Sequence, residues 1–265
     1  DMISILVPTM GTRENELKRL IESLKKQTYK DFEVVIVSQS NHDMVEKCFE
    51  GVDFYYKHIK SNTKGASVAR NIGLKEIKGD IFALSDDDCW YTEDALEFVY
   101  NYFNKNEDAD VLCCQYYDPV KKIYPKVYPE NEIKDFSKIQ ILKKAAIEIF
   151  VNANRVKDYK IGFDEGFGVG TIYNSGEENM YLMDLKKLGY KLNYYPKVLA
   201  YHNVREKDYL DEKSFVAKGP VFKRLFGNGM GLVMYTVFTA KKFKQVDNCI
   251  KLYFKGVKEY FKCKL

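Results

Sequence analysis

The first half of the chain alternates short apolar runs with stretches of helical periodicity. Residues 3–7 form a compact apolar run that stops at a proline, whereas residues 16–27 carry leucine or isoleucine every three or four positions. A run of the first kind is typical of a buried strand and one of the second kind of an amphipathic helix. The pattern predicts strands at 3–7, 32–37, 52–58, 80–84, 111–117, 192–195 and 198–201, and helices at 16–27, 66–77, 92–104 and 177–188. This alternation predicts an α/β, Rossmann-like fold with a mostly parallel, twisted sheet flanked by helices on both faces.

Polar residues follow three of these predicted strands at the point where each strand ends. They are Pro8 and Thr9, Ser38 and Gln39, and Asp86, Asp87 and Asp88. The carboxyl ends of parallel strands meet at one edge of a sheet, which is where α/β proteins bind ligands. The sequence therefore predicts a ligand site at this edge.

The three consecutive aspartates allow two interpretations. Alternate residues of an extended loop point the same way, so Asp86 and Asp88 can offer hard oxygen ligands to a divalent cation that serves a polyanionic substrate. In the other interpretation the acids form a solvated turn, with Asp87 or Asp88 capping the helix that begins near Thr92. The triplet alone leaves both open.

Composition excludes several classes of protein. The chain has 265 residues, of which 46% are hydrophobic and 30% charged, and a net charge of +4, so it is long enough to bury a full core and disorder is not expected. Its six cysteines form no CxxC pair and there are three histidines, so neither a zinc site nor a disulfide framework is expected and a reducing cytosol fits best. No apolar run approaches the about 20 residues that span a bilayer, and no signal peptide is evident. We therefore expect that the protein is neither secreted through a signal peptide nor inserted in the membrane.

The C-terminal segment is basic and aromatic, and we expect it to form an extension at 221–265 beside a main domain at 1–220. From Lys241 onward the sequence contains eight lysines and two acidic residues. A continuous helix here would have an apolar face bordered by lysines. That face either packs on the core or rests on anionic lipid, and we favour peripheral contact with the inner face of the cell membrane.

Several segments in order across residues 3–202 resemble one known family. They are ILVPT at 5–9, LKKQTYKDFEVV at 24–35, GASVARNIG at 65–73, the aspartates 86–88, SGEE at 175–178, and Tyr201-His202. Together they resemble the motifs of family 2 glycosyltransferases of the GT-A fold, in a bacterial surface-polysaccharide variant with DDDCWY and GEE segments. One departure is Ser38-Gln39-Ser40, where many members carry an acidic pair that contacts the nucleobase. The QxxRW motif of processive synthases is also missing from the sequence.

The resemblance implies roles for particular residues. Asp88 would be the principal ligand of Mn²⁺ or Mg²⁺, with Asp86 contacting the ribose or completing the metal shell and His202 as a late ligand. Glu178, with Glu177 beside it, would be the catalytic base. Donor-binding residues would be Pro8, Thr9, Arg13, Ser38, Arg70, Asp86 and Asp87. The residues alone are equally compatible with His202 as a core histidine, Arg70 in a surface ion pair, and the two glutamates as favourable charges at a helix N-terminus.

The resemblance implies inverting transfer of a sugar from a nucleotide-diphosphate sugar to a hydroxyl of a glycan or lipid-linked acceptor. Capsule or other surface polysaccharide synthesis would be its setting, without nucleic acid as a partner, and an oligomer is possible. The alternatives are a sugar nucleotidyltransferase and a non-catalytic nucleotide-sugar-binding protein. The residues 8–13 offer one glycine where a nucleotidyltransferase needs a glycine-rich phosphate loop, which favours the glycosyltransferase.

Overall fold

The architecture comes from a computed structural model that describes residues 1–156, 162–204 and 210–264. Within these ranges one eight-stranded sheet has the order β3-β2-β1-β4-β7-β6-β8-β5. Its strands are β1 Ile3–Thr9, β2 Phe32–Ser38, β3 Tyr55–Lys60, β4 Ile81–Leu84, β5 Trp90–Tyr91, β6 Val111–Tyr117, β7 Ile149–Asn152 and β8 Leu192–Tyr201. The helices are α1 Glu14–Lys25, α2 His42–Cys48, α3 Ala66–Leu74, α4 Ala95–Lys105, α5 Lys138–Ile141, α6 Glu177–Lys187, α7 Glu212–Phe226, α8 Asn228–Lys242 and α9 Cys249–Lys262.

The predicted α/β fold is confirmed, with one antiparallel strand inside the sheet. Strand β1 pairs in parallel with β2 and β4, β2 with β3, and β6 with β8. Strand β7 lies antiparallel between β4 and β6, and β5 is antiparallel to β8. Neither β5 nor β7 is predicted from the sequence, because two and four residues are too few to show a period.

Side chains of successive residues in the central strands pack into two separate cores, one on each face of the sheet. On β1, Ile5 and Val7 pack in the cluster that contains Leu20 of α1, whereas Leu6 packs in the cluster that contains Leu182 of α6. A strand covered on both faces is nearly continuously apolar, which explains the runs of β1 and β2. Two buried exceptions, Ser4 and Glu33, satisfy each other through a hydrogen bond of 2.6 Å from the Ser4 hydroxyl to Glu33 Oε1. Each such leucine or isoleucine stabilises the fold by roughly 1.5–3 kcal/mol through burial.

Several predicted boundaries shift. The strand predicted at 52–58 is β3 at Tyr55–Lys60, and the helix predicted to end at residue 77 ends at Leu74. The two short strands predicted at 192–195 and 198–201 are the single strand β8. Its register against β6 jumps from Cys113↔Tyr194 to Gln115↔Val198, so the segment around Pro196 bulges where proline cannot donate to the ladder.

The predicted continuous C-terminal helix is wrong. Helix α8 ends at Lys242 and α9 begins at Cys249, with Asn248 in a left-handed conformation at φ 53°. The expected domain boundary at 220/221 falls inside α7, whose Val221 packs with the main core and whose Phe222 packs with α8 and α9. The division into two domains stays a prediction. No helix in the described ranges is long and apolar enough to cross a membrane.

Candidate active site

The carboxyl ends of β1, β2 and β4 meet, as the sequence predicts. The Thr9 hydroxyl donates to Asp87 Oδ2 at 2.6 Å, and the Gln39 amide donates to the Thr9 carbonyl at 2.9 Å. The Ser85 amide likewise donates to the Leu6 carbonyl at 3.0 Å. These bonds fix the acidic loop beside the end of β1, where Pro8 is half-buried.

Asp87 is the buried member of the acidic loop. It accepts from Thr9 and from Arg13 Nη1, the latter at 3.2 Å. Burial raises the pKa of Asp87 above its ordinary value, although the Thr9 hydrogen bond and the charge of Arg13 oppose this shift. Its two partners give Asp87 a structural role between β1 and β4.

Asp88 lies between a guanidinium and an imidazole. Arg13 Nη1 donates to its Oδ2, and His202 Nε2 is 3.2 Å from its Oδ1. Burial would raise the pKa of Asp88, but His202 and Arg13 together lower it below its ordinary value. Burial would lower the pKa of His202, and the hydrogen bond and charge of Asp88 raise it instead. Of the three predicted metal ligands, Asp88 and His202 are therefore neighbours, whereas Asp86 accepts from Arg70.

The donor set fits a divalent cation only in part. In the described ranges no group of three or more histidine, cysteine, aspartate or glutamate side chains is arranged to hold a metal. Asp88 and His202 supply one carboxylate and one imidazole, a combination that suits Mn²⁺ better than an all-oxygen set. The remaining ligands would have to be substrate oxygens and water.

Arg70 connects the acidic loop to the start of α6. Its side chain is 2% exposed, and Nη1 donates to Glu177 Oε1 while Nη2 donates to Asp86 Oδ1, both at 2.8 Å. Its Nε is buried and has no hydrogen-bond partner in the described structure. The ion pair considered as the alternative for Arg70 thus exists, but it is buried rather than at the surface.

The two glutamates at the start of α6 have different surroundings. Gly176, at φ 90°, precedes the helix, and Glu177 is buried against Arg70. Glu178 is half-buried, and desolvation together with the charge of Glu177 raises its pKa to about 8. A carboxyl with this pKa is suited to accept a proton near neutral pH.

The glycine-rich segment 162–176 is held against α3. Asn71 donates from Nδ2 to the Phe163 carbonyl at 2.8 Å and accepts from the Phe163 amide at 2.7 Å. The Ser67 hydroxyl donates to the Phe167 carbonyl. These bonds attach the segment to the helix that carries Arg70.

Ser38 is engaged by two histidines that the sequence analysis does not connect to it. Its hydroxyl lies 2.6 Å from both His42 Nδ1 and His58 Nε2, and His58 Nδ1 donates to Glu46 Oε2 at 2.7 Å. The side chain of the neighbouring Gln39 donates from Nε2 to the carbonyls of Thr63 and Gly65. No local pattern indicates this network, because it depends on the register of β2 and β3.

Arg19 is a second residue that sequence analysis misses. Its Nη2 donates to the Asp88 carbonyl at 2.9 Å, and its guanidinium lies 3.5 Å from the centre of the Trp90 ring. Arg19 lies in α1, and its hydrogen bond holds the backbone of the acidic loop against this helix. In the sequence it is one more basic residue on the polar face of a helix.

This arrangement, with acids at the carboxyl edge of a mostly parallel sheet and a glutamate pair opening a following helix, defines an α/β protein of the GT-A type. Residues 4–163 match the family model described as "Glycosyl transferase family 2". The chain therefore belongs to glycosyl transferase family 2.

The relatives that the chain matches include bacterial glycosyltransferases. The chain is 28% identical over 206 residues to "Glycosyltransferase GlyA" of Streptococcus pneumoniae serotype 4, covering 69% of this chain and 29% of that protein. It is 36% identical over 122 residues to "Poly(ribitol-phosphate) beta-N-acetylglucosaminyltransferase TarP" of Staphylococcus aureus, covering 43% of this chain and 36% of TarP. The chain thus spans about a third of the length of these relatives.

Solved structures share the fold. The crystal structure of S. aureus TarS 1–349 superposes with a TM-score of 0.68 at 18% identity, covering 92% of this chain and 72% of that one. TarS 1–349 has also been solved in complex with UDP-GlcNAc, with a TM-score of 0.65. The mannosyltransferase PcManGT from Pyrobaculum calidifontis, in complex with GDP-Man and Mn²⁺, superposes with a TM-score of 0.61 at 12% identity, covering 99% of this chain and 76% of that one.

Proposed function

We propose that this chain transfers a sugar, with inversion, from a nucleotide-diphosphate sugar to a hydroxyl of a glycan or lipid-linked acceptor in bacterial surface polysaccharide synthesis. The observation that carries the proposal is the chain of contacts from Asp86 through Arg70 to Glu177, with Glu178 beside it. It links the acids at the sheet edge to a carboxyl whose pKa is raised toward the working range. The relatives GlyA and TarP support the bacterial setting.

Glu178 is the proposed base. Its carboxylate takes the proton of the acceptor hydroxyl as that oxygen forms a bond to the anomeric carbon of the donor sugar. The bond from the anomeric carbon to the diphosphate oxygen breaks on the opposite face, and the nucleoside diphosphate leaves with the electron pair. One base is enough for such a displacement, and Glu177 is committed to Arg70.

The leaving diphosphate needs positive charge, and the site offers cationic and metal-binding groups. Arg70 and Arg13 line the acidic loop, and Asp88 with His202 would hold Mn²⁺ or Mg²⁺. Such an ion supplies Lewis-acid stabilisation to the departing phosphate oxygens. The complex of PcManGT with Mn²⁺ supports this choice of cofactor.

Donor recognition is proposed at the end of β1 and β2, by Pro8, Thr9, Arg13 and Ser38. Thr9 and Ser38 already make buried hydrogen bonds within the protein, so they would shape the pocket rather than donate freely to a ligand. The nucleobase stays open, since TarS was solved with UDP-GlcNAc and PcManGT with GDP-Man.

A donor and acceptor screen tests the proposed function. Sugars carrying UDP, GDP, dTDP or CMP would be incubated with Mn²⁺ and candidate acceptors, and the released nucleotide and the anomeric configuration of the product determined. We expect nucleoside diphosphate release and an inverted product, and Glu178→Gln should bind the donor with little turnover. Pyrophosphate release in a separate incubation with nucleoside triphosphate and sugar 1-phosphate would favour the nucleotidyltransferase, and normal turnover by Glu178→Gln would exclude this base.

A further inference from the structure

Helix α9 has two apolar faces, and within the described residues one of them is buried and the other is exposed. One face is buried against α7 and α8 through Leu252, Gly256 and Tyr260. The approach is close, because a Cβ on Gly219 of α7 would lie 2.5 Å from the Gly256 carbonyl oxygen. This face satisfies the expectation that the C-terminal segment packs on the core.

The second apolar face points away from the protein. Ile250, Phe254 and Phe261 are 61%, 65% and 69% exposed. Their spacing of four and seven residues aligns them in one row along the helix. Large aromatic side chains exposed in a row are uncommon on a soluble surface and mark an interaction site.

A row of lysines runs beside this apolar row. It comprises Lys251, Lys255, Lys258 and Lys262, all exposed and offset by one position from the apolar residues. Two of the four have an acidic neighbour: Lys255 lies 3.9 Å from Glu212, and Lys262 lies 2.8 Å from Glu259. The row therefore keeps a net positive charge.

Helix α8, which packs beside α9, also exposes apolar side chains. Met230, Val233 and Val237 are 56%, 54% and 44% exposed on its outer side. The two helices meet at a hydrogen bond of 2.8 Å between the hydroxyls of Thr236 and Tyr253. Both outer sides adjoin at this seam, and we call the six exposed apolar residues and the lysine row the α8–α9 outer surface.

We propose that the α8–α9 outer surface docks on a bilayer that contains anionic lipid, with the apolar row entering the headgroup boundary and the lysines meeting the lipid phosphates. Apolar side chains flanked by lysines are what interfacial binding requires. A second copy of the chain on the same surface would bring two lysine rows together, and like charges across an interface oppose association. The inference goes beyond sugar transfer and does not depend on it.

Docking there would also orient the candidate site. Helix α7, which carries α8 and α9, places Arg224 against both Asp184 of α6 and Asp164 of the glycine-rich segment. The distances are 2.7 and 3.0 Å for the two bonds to Asp184 and 2.8 Å for the bond to Asp164. Bidentate arginine–carboxylate pairs fix orientation as well as distance. The outer surface is thus connected through α7 to α6 and to the glycine-rich segment.

Vesicle sedimentation of the full 265-residue chain tests this proposal. The probes are vesicles of phosphatidylcholine alone and of phosphatidylcholine mixed with phosphatidylglycerol. We expect binding to the mixed vesicles only, weakened by salt because screening shortens the reach of the lysine charges. Phe254→Ala with Phe261→Ala should lower the partition coefficient between vesicles and water about tenfold or more, because two aromatic side chains that would enter the lipid are lost.

Matched variants separate the surface from general effects. Lys251→Ala with Lys258→Ala should weaken binding to mixed vesicles and flatten its salt dependence, whereas Lys26→Ala with Lys75→Ala, at exposed positions elsewhere, should leave binding unchanged. Absence of binding to mixed vesicles, or equal binding by the double phenylalanine variant, overturns the proposal. A dimer that dissociates in that variant without any lipid binding overturns it in favour of a second copy.

Discussion

Arg70 and Glu177 form a buried ion pair that joins α3 to the start of α6, with 2.8 Å between Nη1 and Oε1. Their side chains are 2% and 7% exposed, and the residues are 107 positions apart in the chain. The same guanidinium holds Asp86, so one cation organises two acids of the candidate site. A pair of this kind is costly to break, because the remaining partner would be a buried charge without compensation.

Replacing Arg70 tests the importance of this pair for stability. Arg70→Met should lower the free energy of unfolding by about 3–5 kcal/mol, as is typical when one partner of a buried pair is removed. Urea denaturation measures the change. Arg70→Met combined with Glu177→Met should recover much of the loss, whereas two additive losses would show that the pair is not coupled.

The pH dependence of stability tests the surroundings of Glu178. Its folded-state pKa is raised to about 8 from an ordinary value of 4.5, so the folded protein holds a proton that the unfolded chain releases at lower pH. This stabilising contribution is complete below about pH 4.5 and is lost as pH rises toward 8. Glu178→Gln should therefore be more stable than the parent at pH 8, by more than about 1 kcal/mol. If the difference in unfolding free energy between the two proteins stayed constant from about pH 4.5 to 8, the raised pKa of Glu178 would be contradicted.

The same titration gives an expectation for activity. If Glu178 is the base, kcat/KM should rise with pH below about 8, by about tenfold per unit, because only the ionised carboxylate accepts a proton. Initial rates at subsaturating donor measure this. A rate that is flat from pH 6 to 8 would point to another base.

Gly168 tests the close contact between the glycine-rich segment and the site. It has φ 107°, and a Cβ there would lie 2.7 Å from Ser67 Oγ and 3.0 Å from Glu177 Cδ. Gly168→Ala should cost about 1–3 kcal/mol of stability and reduce turnover, because the segment must shift away from α3. Gly229→Ala in α8 is the matched control, since its Cβ would meet nothing within 4 Å. Thermal unfolding of both variants decides the comparison.

Asp87 and Asp88 should respond differently to the same substitution. Asp87→Asn weakens buried contacts with Thr9 and Arg13, so we expect a loss of about 1–3 kcal/mol in stability. Asp88→Asn should change stability by less than about 1 kcal/mol but abolish any gain in nucleotide affinity on adding Mn²⁺. Calorimetric titration of nucleoside diphosphate with and without Mn²⁺ measures this gain. Retention of the gain in Asp88→Asn would remove Asp88 from the metal site.

The fold was predictable where its signals are local. Strands β1, β2, β4 and β6 and helices α1 and α6 follow from runs and periods within the sequence, and the meeting of Thr9 with Asp87 follows from parallel pairing. Strand β7 was not predictable, because its four residues become a strand only between β4 and β6. The break between α8 and α9 was missed because helical spacing continues in the sequence across residues 243–248, where the backbone turns.

Partners within the site depend on contacts that no local pattern shows. Sequence motifs point to Arg70, Asp88 and His202, but the engagement of Arg70 by Glu177 and Asp86 depends on how α3, β4 and α6 pack. The two apolar faces of α9 likewise could not be separated from the sequence, since Tyr260, which is buried, and Phe254, which is exposed, are both aromatic residues at helical spacing.

The shared hydroxyl of Ser38 gives its two histidines the same tautomer, with the proton on Nδ1 in each ring. His58 donates through Nδ1 to Glu46, so its neutral ring can only accept at Nε2, and the single Ser38 proton must point there. The Ser38 oxygen then accepts from His42, which carries its proton on Nδ1. The two bonds of Ser38 therefore run in one direction, from His42 through Ser38 to His58, and the bond from His58 Nδ1 to Glu46 has one possible direction because a carboxylate only accepts. A single hydroxyl proton thereby couples the tautomer of His58 on β3 to that of His42 at the start of α2, next to the end of β2.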